Sequence, residues 1–230
     1  MTHLRILVSG ISGGLGQALA ARATTHPNWE LVGLARRPQG FEIEMDVTWS
    51  ERRILQALSG IGPIDALVCL HGADIVSAPM RQAPFLERLQ VLYEVDVAGT
   101  VKLLRATLPL MKPGAPIVVM GWDQATLGVS GEAGELYALA KGALTSYAKS
   151  FAAGHLNQVT VYIVAPGWVM TRWGQSLSPQ RRARIASRTR SGHWQTADEV
   201  AQVVETLLSL PPTVVTGQVI YVNRGDVMPS

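Results

Sequence analysis

Ser9-Gly10-Ile11-Ser12-Gly13-Gly14-Leu15-Gly16 follows the apolar run Leu4 to Val8 and leads into the helix-forming stretch Leu15 to Arg22. A short strand, a glycine-rich turn and a helix in that order bring backbone N–H groups to a helix N-terminus, where a pyrophosphate can approach closely. The same eight residues also serve as a tight strand-to-helix turn with no ligand.

Further apolar runs predict strands at Glu30 to Ala35, Phe41 to Met45, Ala66 to Leu70, Pro116 to Met120, Thr160 to Ala165 and Gln218 to Val222. Between them, Thr48-Trp49-Ser50-Glu51 reads as a capping box opening a helix to Leu58. Pro84 to Met111 has helical periodicity, and Glu135 to Ala153 is an alanine-rich helix. Thr196-Ala197-Asp198-Glu199 is a second capping box, opening a helix to Leu208, whereas Arg172 to Gln195 reads as polar and irregular. Strands that are apolar throughout and alternate with helices predict a parallel sheet covered on both faces. No repeat, low-complexity tract or long linker divides the 230 residues. The expectation is a single doubly wound α/β domain of Rossmann type with about seven strands.

Composition narrows the function classes. With 47% apolar residues and a net charge of +3, the chain is not a disordered one. Its one cysteine, Cys69, excludes an internal disulfide framework and a cysteine-rich zinc site. From Leu136 to Ala197 there is no Asp or Glu, and that segment alone carries +8. The rest is therefore acidic, and the six tryptophans and three phenylalanines make no obvious stacking array for a nucleic acid. Two uncharged runs, Ser150 to Thr171 and Thr206 to Asn223, contain Pro166 and Pro211-Pro212 and do not read as membrane spans. The N-terminal stretch Met1 to Ala23 is too broken by serine and glycine for a signal peptide. A cytoplasmic protein with neither a membrane nor a nucleic-acid partner is expected.

A second motif is Tyr137-Ala138-Leu139-Ala140-Lys141. Side chains four apart share one helix face, so the ammonium can approach the phenol and favour its ionised form. Such a tyrosine is a general acid or base.

Taken together, these motifs resemble the short-chain dehydrogenase/reductase family over nearly the whole chain. The resemblance lies in its TGxxxGxG turn at Ser9 to Gly16 and its YxxxK at Tyr137 to Lys141. It extends to Pro166-Gly167-Trp168-Val169-Met170-Thr171 and to Thr216-Gly217-Gln218-Val219-Ile220. It implies a nicotinamide cofactor cradled by Ser9, Gly10, Ser12, Gly14, Leu15 and Gly16, with Asp46 and Val47 at the adenine. Tyr137 would give the proton, and Lys141 would hold the nicotinamide ribose and lower the tyrosine pKa. Pro166, Gly167, Val169 and Thr171 would meet the nicotinamide. At the end of the second strand Ala35 occupies the slot where an NAD enzyme keeps a carboxylate, and Arg36 and Arg37 follow. That favours the 2′-phosphate of NADP(H).

The family pattern breaks in three places. Its Asn-Asn-Ala-Gly appears as Cys69-Leu70-His71-Gly72, where His71 and Gly72 either approach the cofactor or simply pack. The asparagine of its long central helix aligns with Asp96, which would bring a negative charge near Lys141. Its catalytic serine falls in Gly121-Trp122-Asp123-Gln124. Trp122, fifteen positions before Tyr137, fills the slot by strand alignment, while Asp123, if protonated, or Gln124 could donate in its place. Pteridine reductases of this family carry an aspartate there. Met120-Gly121-Trp122-Asp123-Gln124 with the later Pro166-Gly167-Trp168 resembles a 3-oxoacyl-carrier-protein reductase-like subgroup of the family.

The resemblance also makes Arg172 to Trp194, within residues 172–195, the substrate lid. Trp168, Trp173 and Trp194 would supply apolar walls, and Arg181, Arg182, Arg184, Arg188 and Arg190 either form a solvated face or attract an anionic or carrier-linked substrate. The activity implied is NADPH-dependent reduction of a small-molecule carbonyl, with Tyr137, Lys141, Asp123, Gln124 and Asp96 at the reacting centre and Trp122, Trp168 and Trp173 at the substrate. A dihydropterin reductase and a cofactor-binding pseudoenzyme acting on a protein partner are the rivals. A homodimer or homotetramer packed through Ala138, Ala140, Gly142 and Ala143 is expected.

Overall fold

The computed structural model describes residues 3–40, 42–212 and 214–227. Seven strands form one sheet: β1 (Leu4–Ser9), β2 (Trp29–Ala35), β3 (Ile43–Glu44), β4 (Ala66–Cys69), β5 (Ala115–Met120), β6 (Val159–Pro166) and β7 (Gln218–Val222). Their order is β3-β2-β1-β4-β5-β6-β7 and every pairing is parallel. The chain runs outward from β1 to β3, then crosses back to place β4 on the other side of β1. The crevice beyond the carboxyl ends of β1 and β4 is the switch point of the sheet, where such folds take ligands. Phe41, the first residue of one strand candidate, lies outside the described residues, as do Met1 and Thr2.

Helices cover both faces: α1 (Gly14–Ala23), α2 (Glu51–Ala57), α3 (Phe85–Leu92), α4 (Thr100–Thr107), α5 (Glu132–Gly154), α6 (Arg172–Ser176), α7 (Pro179–Ala186) and α8 (Ala197–Leu208). Alternation along the strands divides the core in two. Leu7, Leu67, Cys69, Ile117, Val119, Val161 and Ile163 pack with residues of α2, α4 and α5. Ile6, Val8, Val68, Val118, Met120, Tyr162 and Val164 pack with α1 and α8. Each such aliphatic side chain, fully buried, contributes about 1.5–3 kcal/mol, so the apolar run of a central strand stabilises both layers at once.

The boundaries differ from the sequence reading in three instructive ways. Thr48 does not cap α2. Its N–H and hydroxyl both donate to Asp46 Oδ1, at 2.9 and 2.8 Å, and Ser50 takes the cap by accepting from the Arg53 N–H at 3.3 Å. The helical stretch expected from Pro84 to Met111 is interrupted by a π-helical turn, Tyr93–Gly99, between α3 and α4. The segment expected to be irregular contains α6 and α7, and α7 has Ser178 as its N-cap with Pro179 at its first position. By contrast the box at Thr196 forms as read: Thr196 Oγ1 accepts from the Glu199 N–H at 3.1 Å and Glu199 Oε2 from the Thr196 N–H at 2.7 Å. Among the described residues, no helix is long and apolar enough to cross a membrane.

Candidate active site

Two cavities open at the carboxyl ends of the strands. The first, about 490 Å³, is lined by Ser9, Gly10, Ser12 and Gly13 of the glycine turn, by Ala35, Arg36, Asp46 and Val47, and by His71 and Gly72. Gly10 is required here. Its φ is +73°, and a Cβ would lie 2.6 Å from the backbone of Leu70 and His71. Gly16 has a different job, since a Cβ there would meet the carbonyls of Gly10 and Ile11 at 2.5 and 2.4 Å. It lets the turn close and does not line the cavity. Leu15 packs its side chain into the core layer of α1 and α8, and Gly14 lies against Thr171. Helix α1 starts from Gly13 without a side-chain cap, leaving first-turn N–H groups for an anion.

These features fit a nicotinamide dinucleotide: an uncapped helix end and the Ser12 hydroxyl for phosphate, Arg36 for further negative charge, and Asp46 at the other end of the same wall. Arg36 lines the cavity, but Arg37 is exposed and does not. Arg172, at the start of α6, does line it and was missed by the sequence reading. Its position directly after Thr171, which sits against Gly14, is the signal that could have found it. Pro166, Gly167, Val169 and Thr171 stand outside both cavity walls. Gly167 N–H is shared by the Val222 carbonyl and the buried Gln195 Oε1, and Gln195 also exchanges backbone bonds with Trp168 and Met170. Gln195 thus ties the end of the 172–195 segment to its start.

His71 resolves to a packed histidine at the cavity edge. Thr100 Oγ1 gives its single proton to the Asp96 carbonyl at 2.7 Å, so it must accept from His71 Nε2–H at 3.0 Å. Nδ1 is then bare and accepts from the Ser9 hydroxyl at 2.7 Å. Burial holds the ring neutral, its pKa lowered to about 4. Cys69 is buried beside Ser9 and its thiol is pushed up to about 12 by desolvation, which leaves it inert.

The second cavity, about 580 Å³, contains the expected chemistry. Tyr137 and Lys141 come to it from α5, and Gly121, Trp122, Asp123 and Gln124 from the end of β5. Trp168, Trp173, Arg181, Arg184 and Arg188 complete much of the wall. Trp122 stands edge-on to Tyr137 with ring centroids 6.3 Å apart, and so serves as a wall. Trp194 stays behind the cavity, packed on Trp168 and Trp173 at 5.6 and 6.1 Å.

Asp123 is 1% exposed. Its Oδ2 accepts from Asn223 Nδ2 at 3.2 Å, and Oδ1 has no partner among the described residues. Desolvation is the main cause that raises its pKa to about 6, and the charge of Asp226 adds to it. A carboxyl so placed is protonated readily and then becomes a donor. Asn223 was not anticipated: it follows the Thr216 to Ile220 motif closely but lies 100 positions from Asp123, and nothing local pairs the two.

Lys141 does not lower the tyrosine pKa as expected. Its Nζ pairs with Asp96 Oδ2 at 2.9 Å and donates to the Met120 carbonyl at 3.1 Å. Burial pushes the Tyr137 phenol up, and the Asp96 charge pushes it further. Its hydroxyl donates to the Ala73 carbonyl at 3.1 Å. Among the described residues, no cluster of three or more His, Cys, Asp or Glu side chains is placed to hold a metal ion.

A glycine-cradled anion site at the switch point beside a tyrosine–lysine pair defines a nucleotide-dependent oxidoreductase of the α/β class. A family model described as enoyl-(acyl carrier protein) reductase matches residues 32–226. The chain belongs to the short-chain dehydrogenase/reductase family, in its 3-oxoacyl-(acyl-carrier-protein) reductase-like subgroup. It is 29% identical over 239 residues to 3-oxoacyl-(acyl-carrier-protein) reductase FabG of Escherichia coli (strain K12), covering 96% of each chain. A short-chain dehydrogenase family protein from Francisella tularensis subsp. tularensis SCHU S4 superposes with a TM-score of 0.83 at 21% identity, covering 98% of this chain and 99% of that one. A small-chain dehydrogenase in complex with NADPH gives 0.81 at 18% identity, covering 97% and 98%. The two structures share the fold.

Proposed function

We propose that this oxidoreductase reduces a small-molecule carbonyl to an alcohol at the expense of NADPH. The observation that carries the reading is one cavity lined by Tyr137, Lys141 and Asp123, next to the crevice lined by Ser12 and Arg36; Asp123 keeps a buried Oδ1 without a partner among the described residues. A nicotinamide bound in that crevice would supply the hydride that the carbonyl carbon takes up. Tyr137, whose raised pKa keeps it protonated, gives its proton to the carbonyl oxygen after leaving the Ala73 carbonyl. Protonated Asp123 supplies the second hydrogen bond to that oxygen, where the family keeps a serine, and the Gln124 amide flanks it. Lys141, its ammonium fixed by Asp96, would hold the nicotinamide ribose. Preference for the 2′-phosphate rests on Ala35 and Arg36.

Residues 172–195 act as the lid, its ends tied by Gln195. We place a partner copy on α3, the following turn and α5, where Leu86, Tyr93 and Leu139 are 74%, 54% and 52% exposed. Ala140, counted among the packing residues from sequence, is buried inside its own protomer and takes no part. The test is Tyr137→Phe: NADPH oxidation with an active carbonyl substrate is abolished while NADPH binding persists. Undiminished turnover removes Tyr137 from the chemistry.

A further inference from the structure

The cavity that holds Tyr137 is also a cationic one. Arg181, Arg184, Ile185 and Arg188 are spaced so that one face of α7, with the turn after it, looks into the cavity. None of these three arginines has an acidic partner among the described residues. Neither carboxylate in the cavity wall pairs with these arginines: Asp123 is buried with Oδ2 on Asn223, and Asp226 accepts from the Ser191 N–H and hydroxyl at 2.7 and 3.1 Å. Nor can the lid supply a counter-charge, since Leu136 to Ala197 contains no Asp or Glu. Guanidinium groups one turn apart repel each other, so a face that gathers them without an acid is completed by an anion from outside.

The rest of the wall says what kind of anion. Trp168 and Trp173 offer apolar surface in the same wall, and the guanidinium fork matches a carboxylate through two parallel bonds. A cavity of about 580 Å³ is in the range that encloses a small molecule whole. A phosphopantetheine arm is far longer than a short acyl chain and would carry its phosphate out of this space.

We propose that Arg181, Arg184 and Arg188 recognise the carboxylate of a free oxo acid whose ketone lies at Tyr137, an inference that rests on the carbonyl-reductase reading. In the reaction the ketone carbon gains a hydride as the nicotinamide is oxidised. The ketone oxygen takes the Tyr137 proton, which solvent replaces, and the carboxylate leaves unchanged on a hydroxy acid.

The test compares levulinate and benzoylpropionate with their methyl esters, by NADPH oxidation and by tryptophan fluorescence, which Trp168 and Trp173 make sensitive to cavity occupancy. Fluorescence titrations are run with and without NADP⁺. The double variant Arg184→Gln/Arg188→Gln weakens binding of the acids about tenfold or more and changes the esters less than twofold. Arg52→Gln, exposed on α2 and outside both cavity walls, changes neither. Arginine-dependent quenching by the acids without turnover of any carbonyl upholds the anion site and removes the reductase reading. Esters handled as well as acids, or acids indifferent to the arginine changes, overturn the proposal and leave the reductase reading standing. Arginine dependence seen with acetoacetyl-CoA but not with the free acids also overturns it, in favour of a phosphate-bearing substrate.

Discussion

Asp96 grips Lys141 directly, Oδ2 to Nζ at 2.9 Å, and its other oxygen takes the Ala73 N–H at 2.7 Å, while Tyr137 donates to the carbonyl of that same Ala73. The π-helical turn that contains Asp96 brings the carboxylate to this place, its side chain 1% exposed. A lysine beside a phenol ordinarily favours the phenolate. Here the cation has a carboxylate against it, and that carboxylate is the second cause, after burial, of the raised Tyr137 pKa.

Asp96→Asn therefore has a directional consequence. Alcohol oxidation needs Tyr137 as its base, so its rate rises with pH until the phenol ionises. Removing the carboxylate leaves the Lys141 charge uncompensated and moves that rise to lower pH by about one unit. Reduction at neutral pH, which uses the protonated phenol, changes less. The pH profile of kcat/KM for oxidation checks this, and an unmoved profile would show that Asp96 does not act on Tyr137 through its charge.

Asp123→Asn tests the stand-in for the serine. The parent carboxyl, with its pKa raised to about 6, is protonated in the fold over a window where the unfolded chain is ionised. Stability from this group thus grows as pH falls from about 6 toward the usual carboxylate value, and at pH 7 the buried charge is a cost. Asparagine removes that cost and gains roughly 1–3 kcal/mol at pH 7, or about 2–9 °C in Tm. The gain disappears near pH 4. In turnover, the asparagine amide keeps donating above pH 6 where the parent loses its proton, while Asp123→Ala falls at least tenfold, as loss of an oxyanion donor does.

Arg36→Gln and Arg172→Gln separate the two phosphate regions of the cofactor cavity. Arg36 follows the end of β2, where only the 2′-phosphate distinguishes the two cofactors. Its loss weakens NADPH binding about tenfold and leaves NADH nearly unchanged. Arg172 enters from α6 and lines the same cavity as Ser12 and Gly13, so its loss weakens both cofactors alike. Dissociation constants from cofactor fluorescence decide it. Equal effects of Arg36→Gln on the two cofactors overturn the NADP preference.

The residues that could be read from sequence share a property: their role is local. The glycine turn, the Tyr137–Lys141 spacing and the box at Thr196 are fixed by contacts within a few positions, and the unbroken apolar strands reveal a doubly covered sheet without any knowledge of order. Asn223 on Asp123 and Gln195 across the lid are pairings between distant segments, which periodicity cannot show; Asp96 beside Lys141 is equally remote and was legible only through the family resemblance. Helix α7 is a different failure. Ser178-Pro179 is an N-cap followed by proline at the first helical position, a local signal hidden by the arginine-rich polarity around it. Thr48 went wrong for the opposite reason, since a capping pattern competes with an aspartate two residues earlier.

His71 contributes to the acid sensitivity of the fold. In the native state it is neutral, bridging Ser9 and Thr100, and its pKa is lowered to about 4 by burial. The unfolded chain takes up the proton near the ordinary histidine value of ~6.5. Protonation therefore favours unfolding below that value, and stability present at neutral pH is lost as pH falls toward 4, by roughly 2–3 kcal/mol at pH 4.5. His71→Asn cannot take the proton. It starts lower at pH 7, because it shortens the bridge to Ser9 and Thr100 by about 1–3 kcal/mol of hydrogen bonding, but it escapes this loss. Urea unfolding at pH 7 and pH 4.5 gives curves for parent and variant that converge at the lower pH, since the carboxylates common to both cancel in the comparison. Parallel loss in the two proteins would assign the acid sensitivity to other groups.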